Sequence, residues 1–280
     1  MTPLDLPAGD SAIRAGTFVA VLAGLAVAER LRPCRRDARP AKRQLVNLAL
    51  VAIDTVVTRA VFPMVAVVFA ARAREAGVGL FAAMRWPEPL EVAIAVLTLD
   101  VIIYFQHRLM HRVPLLWRAH RVHHSDLAFD VTLGVRFHPF EIVFSQALKL
   151  AAIAALGASP LAVLIFELVL QTGALFTHAD VAFPPRLEHA LRWWVVTPSL
   201  HRVHHSIARD ETDSNFGFSV VWWDRVFGTF RAAPRLPEAT MPVGVPELRA
   251  PADQGLVALL AQPFRVPVGV APAEGGAHAR

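Results

Sequence analysis

Cysteine is almost missing from this chain: Cys34 is the only one among 280 residues. That excludes an internal disulfide, a thiolate cage for zinc and a self-held iron–sulfur cluster, so any bound metal must be held by nitrogen and oxygen. Charge is scarce too, at 18% Asp, Glu, Lys and Arg against 55% hydrophobic residues, with a mean hydropathy of +0.44. Such a composition cannot cover a soluble domain with polar surface, and a multi-pass membrane protein is expected. Acids are outnumbered, 23 against 28 Lys and Arg, and the pI near 10.5 raises nucleic acid as a partner. The basic residues, however, gather at the ends of apolar runs rather than along one polar face. Anionic lipid headgroups are therefore the expected partner, and nucleic acid is not. The sequence also has no C-x-x-C-H haem attachment and no G-x-G-x-x-G fingerprint. Electrons for any redox chemistry would have to come from a separate donor.

Apolar runs of spanning length lie at about 12–28, 45–71, 90–105, 140–157 and 161–176. The second contains Asp54, Arg59 and Pro63, which predicts either a kinked span or a span plus an interfacial piece. Gly157-Ala158-Ser159-Pro160 is a turn signal that folds the last two runs into a hairpin. The predicted fold is all-α, a transmembrane bundle of four or five segments carrying a histidine-rich helical cap. Between the first two runs, RLRPCRRDARPAKR holds seven basic residues and one acid and so marks the cytoplasmic side. Counting crossings from there returns every histidine cluster to that same side. The Ala- and Arg-rich composition suits a bacterial inner membrane, and the mixed, polar start MTPLDLPAGDSAIRAG is not expected to act as a cleaved signal. Three regions are expected: N-terminal spans with the basic loop over 1–89, a catalytic region over 90–231, and a Pro- and Ala-rich cytoplasmic tail over 232–280. The Trp193-Trp194 and Trp222-Trp223 pairs and Trp117 read as interfacial anchors.

Histidine is what the chain has in unusual order. His-Arg-Val-His-His occurs twice, at His120–His124 and at His201–His205. Twelve randomly placed histidines would give one H-x-x-H-H in a chain this long about two times in a hundred. On a helix, i, i+3 and i+4 share a face, so each pentad presents three imidazoles together. His107 and His111 add an i, i+4 pair. These eight rings exceed what one ion can use, and two metals are expected. His178 and His138, placed where the hairpin returns to the level of the clusters, are expected to complete the set. Asp100 shares a helical stripe with Tyr104, His107 and His111, and an acid in an apolar span usually has a functional partner. It is expected to orient a ligand such as His107, while Asp126, Asp130 and Asp180 are further candidates to offset metal charge. Imidazole suits zinc as well as iron, so a zinc-holding protein without redox chemistry, a hydrolase or metal handler, stands as the alternative.

The succession HRLMH, HRVHHSD, RFHPFE, HRVHHS, NFGF and WWDRVFGTF, over about residues 90–231, resembles the fatty acid hydroxylase / sterol desaturase superfamily of membrane-bound di-iron enzymes. The resemblance implies a helical membrane core and two iron ions, replaceable by zinc on purification. It also implies O2-dependent hydroxylation or desaturation of a sterol, fatty acyl or related lipid, driven by a ferredoxin- or cytochrome-like donor with its reductase. Carried onto this chain, it implies as ligands His107, His111, His120, His123, His124, His201, His204 and His205, completed by His178 and His138. Some relatives present a paired H-x-x-x-H where this chain has Ala174 four residues before His178, and His138 is expected to take the missing place. Asn215 and Asp224 match family positions without being ligands.

Overall fold

The computed structural model describes residues 6–36, 38–84 and 86–265. Among them are the helices α1 (Leu6–Leu31), α2 (Ala41–Val61), α3 (Ala66–Glu75), α4 (Leu80–Ala83), α5 (Glu88–Arg112), α6 (Pro114–His124), α7 (Pro139–Leu156) and α8 (Pro160–Thr177). Shorter ones follow: α9 (Pro185–Leu191), α10 (Pro198–His204), α11 (Arg209–Thr212), α12 (Trp222–Val226) and α13 (Leu256–Ala261). The described residues form no strand, only isolated bridges such as Pro33 with Val181. The fold is all-α, as the apolar runs predict.

Among the described residues, four stretches are long and apolar enough to cross a membrane: Asp10–Leu31, Ala41–Glu75, Pro139–Leu156 and Pro160–Thr177. The second is broken between Val61 and Ala66, where Pro63 cannot donate to the helical ladder, and this gives α2 and α3. The turn between α7 and α8 forms where expected. Gly157 takes the left-handed conformation (φ 67°) and donates to Ile153 and Ala154, while Ser159 caps α8 by accepting from Ala162. A Cβ on Gly157 would lie 2.6 Å from the Val78 carbonyl, so the hairpin tip and the loop before α4 can meet only because glycine stands there.

α5, grown from the third apolar run, is the inner helix and packs on α6, α7 and α8. Its Ala95, Leu99 and Ile103 join Ala66, Val67, Ala70, Ile153, Ala162, Val163 and Phe166 in one core, where small side chains let the helix axes approach. Proline phases the cap. Pro114 and Pro198 open α6 and α10, each pre-set for the first helical turn, and so fix which face the following histidines occupy.

The basic loop between α1 and α2 is used inside the molecule as well as at its surface. Arg43 binds Asp126 (2.7 Å) and Asp130, and Arg39 binds Asp180 and Glu29. Arg35 donates to the Met241 carbonyl. Arg30, Arg32, Arg36 and Lys42 stay exposed. Residues 241–262, which composition assigns to a tail, pack on this cap: Met241, Val243, Leu248 and Leu259 are buried, and Leu259 meets Leu50 and Val122. Arg121 on α6 donates to the Gln262 and Arg265 carbonyls. The stretch beyond, His278 included, lies outside the described residues.

Candidate metal centre

Nine of the ten histidines singled out by the sequence converge into two buried groups. His107, His111, His120, His124 and His204 form one, called site A; His123, His178, His201 and His205 form the other, site B. Within each group the ligand nitrogens lie within 4.8 Å of one another. The two pentads are shared between them in opposite ways. His120 and His124 (i, i+4) serve site A while His123 turns to site B; His201 and His205 serve site B while His204 turns to site A. The sites adjoin, since the His124 and His205 rings stack at 4.5 Å.

The orientation of six of the nine imidazoles is set through Nδ1, which donates outward. His107 bonds the Phe216 carbonyl (2.7 Å), His204 that of Ser214 (2.7 Å), His123 that of Arg136 (3.2 Å) and His178 that of Ala174 (2.6 Å). His120 and His111 donate to carboxylates, Glu141 (2.8 Å) and Asp213 (3.3 Å). A proton held on Nδ1 leaves the Nε2 lone pair facing inward, the arrangement that metal-binding histidines require. Those inward atoms fit a metal. The Nε2 of His178 lies 3.1–3.2 Å from the Nε2 atoms of His123, His201 and His205. Ions with bonds of about 2.0–2.1 Å place neighbouring ligand nitrogens about 2.9–3.4 Å apart. In site A, the buried Nε2 atoms of His111, His124 and His204 have no hydrogen-bond partner. Four or five buried imidazoles with converging ring nitrogens in each group could hold a metal ion.

The walls are dry and aromatic. Phe137 stacks on His123 (4.6 Å), Phe216 abuts His107, His111 and His204, and Phe129 faces His178 and His205. Trp117 packs on His111 and His124 at 5.0 and 5.4 Å, so it is a wall of site A. Burial makes protonation costly, and neighbouring imidazoles add to it, so His123, His124, His201 and His205 are held well below the ordinary histidine range. His178 is lowered to about 4 and His204 to about 3, again by burial, against the opposing pull of the carbonyls that accept from their Nδ1 atoms. At neutral pH these rings are neutral, as ligands must be.

Several expectations are corrected. His138 is in neither group. It caps α7, accepting at Nδ1 from the Phe140 N–H and donating from Nε2 to the Leu260 carbonyl, the reverse of the ligands' tautomer. Among the described residues, site B has four imidazoles, and His138 does not supply a fifth. Asp100 does not touch His107. Its carboxylate accepts from the Trp223 indole (2.7 Å) and anchors the WWDRVFGTF segment to α5. Asp126 and Asp180 touch no ligand either. Asp126 is buried, which alone would raise its pKa, but Arg136 and Arg43 hold it below the usual carboxylate range. It acts on His123 only through Arg136, whose own carbonyl receives the His123 proton. Asp180 is engaged by Arg39 and Arg202.

The acids that do reach ligands, Glu141 and Asp213, escaped sequence reasoning. Glu141 stands in RFHPFE, three residues past a histidine that drew the attention, and Asp213 in a polar stretch with no periodicity. Most consequential is the segment 213–217. Asp213, Ser214 and Phe216 orient His111, His204 and His107, three of the five rings of site A. Asp224 pins that segment by accepting from the Phe216 and Gly217 N–H groups, and Asn215 (φ 49°) ties it to Leu200 and Arg231. This gives physical content to the NFGF and WWDRVFGTF motifs.

Known proteins share this arrangement of sequence. The family model described as fatty acid hydroxylase matches residues 92–229. Ornithine lipid hydroxylase OlsE of Rhizobium tropici is 35% identical over 181 residues, covering 64% of this chain and 52% of the relative. Alkylglycerol monooxygenase of Homo sapiens is 33% identical over 158 residues, 53% of this chain and 32% of the relative. Cholesterol 25-hydroxylase of Rattus norvegicus is 28% identical over 145 residues, 51% and 47%. The chain thus spans about half or less of the length of these relatives. No solved structure matches.

Proposed function

Because residues 92–229 of this chain belong to the fatty acid hydroxylase family, we propose that it is a membrane-bound oxygenase that hydroxylates a lipid C–H bond with O2, holding two iron ions. The observation that carries this reading is the division of nine buried imidazoles into two adjoining groups whose inward nitrogens match metal–ligand spacing. Iron bound there supplies the activation of O2 that breaking an unactivated C–H bond requires. The chain's own part is to hold neutral imidazoles in one tautomer, to keep water out behind Phe129, Phe137, Phe216 and Trp117, and to place carboxylates at His111 and His120, where they balance charge without occupying a ligand position. Hydroxylation is favoured over desaturation because the named relatives are hydroxylases and monooxygenases of ornithine lipid, alkylglycerol and cholesterol.

Electrons come, in this reading, from a separate ferredoxin- or cytochrome-like partner with its reductase. The histidine cap faces the cytoplasm, in a bacterial inner membrane; Arg30, Arg32, Arg36 and Lys42 support that orientation, since they stay exposed at the cap end of α1 and α2. A zinc protein without redox chemistry would present the same donor set, and metal analysis separates the two. Protein purified without added metal is expected to carry iron and to consume O2 when reduced, and its expression to add one oxygen to a membrane lipid in mass spectra of cell extracts. Zinc in both sites, with no O2 uptake after iron reconstitution, would overturn the proposal; loss of two hydrogens from the lipid would convert it to a desaturase.

A further inference from the structure

Between α1, α2, α7 and α8 lies a cavity of about 520 Å3, within the range of small-molecule sites. One end reaches the centre. Gly134 and Phe137 line it; a Cβ on Gly134 would stand 3.3 Å from His178 Nδ1, and Phe137 is the ring stacked on His123. Away from that end the lining turns polar at the depth of the membrane spans. Charged groups in such a position face cavities and carry partners, and most here do. Glu167 pairs with Arg14 (2.8 Å) and Lys149, Glu91 with Arg74, and Asp100 with Trp223.

Asp54 is different. It lines the cavity from α2, is 4% exposed, forms no ion pair among the described residues, and leaves its Oδ1 without a hydrogen-bond partner. One turn on, the Thr58 hydroxyl lines the same cavity and is also unpartnered. Two neighbouring polar groups kept unsatisfied beside an open space are acceptors waiting for a donor. Their level is fixed by the same helix. Asn47 bonds Thr132 and Arg136 at the metal end of the cavity, and Asp54, seven residues further, lies about 10 Å along the axis.

On the lipid-oxygenase reading above, we propose that this cavity is the substrate site and that Asp54 binds a hydrogen-bond-donating group of the lipid, a hydroxyl or amide. The apolar body then runs toward Phe137, so the carbon to be oxidised is remote from that polar group. Asp54 lies outside the matched residues 92–229, so selectivity resides in the N-terminal helices while the chemistry resides in the family domain.

Binding to the purified full-length protein in detergent tests this without turnover. The probes are 1-O-hexadecylglycerol and its dimethyl ether, which cannot donate. The native chain is expected to prefer the diol to the diether by about five- to tenfold, the value of one buried hydrogen bond. Asp54→Leu should erase that preference while leaving diether affinity unchanged, and Thr58→Val should narrow it. If Asp54→Leu does not elute as folded protein, Asp54→Ala, which also removes both carboxyl oxygens, should erase the preference in the same way. Equal affinity of the native chain for diol and diether, as when any bilayer lipid fills the space, overturns the proposal. So does a preference that survives unchanged in the Asp54 variant that folds. Binding as described without O2 uptake would sink the oxygenase reading alone.

Discussion

A neutral imidazole must keep its proton on one of two nitrogens, and here the surrounding carbonyls and carboxylates choose Nδ1 in six of the nine ligands, His107, His111, His120, His123, His178 and His204. His138, with the opposite tautomer and both nitrogens engaged, supplies a control. His204→Ala is expected to lower bound metal by about one ion per chain, as removal of a site A ligand must, and to abolish O2-dependent turnover, whereas His138→Ala keeps both ions; equal metal loss in the two variants would refute the assignment. Glu141→Gln should weaken metal binding or activity by about 10–100-fold, the usual effect of removing a carboxylate behind a ligand. Acid provides a further test. His178 and His204 titrate near 6.5 in the unfolded chain but near 4 and 3 when folded. Between those values the unfolded chain binds protons that the folded one refuses, so the stability these groups confer is complete above about pH 6.5 and is lost as pH falls toward 4. Proton competition for the metal acts in the same direction. Thermal midpoints in detergent that fail to drop between pH 7 and pH 4.5 would contradict the burial argument.

At the level of elements, the pentads are legible because helical spacing is a property of local sequence, and Pro114 and Pro198 show where each helix starts. Their division between two sites was not legible. Which of His120, His123 and His124 turns to which ion depends on the angle at which α6 meets α5 and α10, and no local pattern encodes that angle. The segment 213–217 was equally hidden, because it acts through backbone carbonyls, which every residue has. Its support can be tested at Asp224, whose carboxylate accepts two backbone N–H groups and the Thr229 hydroxyl. Asp224→Ala leaves those buried donors unsatisfied at about 1–3 kcal/mol each. The variant is expected to lose both thermal stability and site A metal, although Asp224 touches no ligand; retention of full metal with only a lowered midpoint would show that the segment does not transmit to His107.

For the whole molecule, the same loop has two tasks. Arg39 and Arg43 turn inward to the acids behind the centre and Arg35 to the Met241 carbonyl, while Arg30, Arg32, Arg36 and Lys42 remain at the surface as the charge bias that orients a membrane protein. Because Cys34 is the only native thiol, orientation can be read with one introduced label. In a Cys34→Ser background, Arg36→Cys should react with a membrane-impermeant maleimide only after the inner membrane is opened; labelling of intact spheroplasts would reverse the proposed topology. The stretch 241–262 belongs to the same body, since it buries Met241, Val243 and Leu259 against the cap.

Composition and spacing by themselves determined a helical membrane protein with clustered histidines that could hold metal, because hydropathy and helical period are local and additive along the chain. Tertiary structure decided what depends on approach between distant segments. It divided the rings five and four and placed His138 outside both sites. It also set Glu141 and Asp213 behind ligands in place of Asp100, Asp126 and Asp180. Each of those outcomes turns on contacts between residues far apart in sequence, Asp213 with His111 and Trp223 with Asp100 among them, where a shift of a few ångströms exchanges one partner for another.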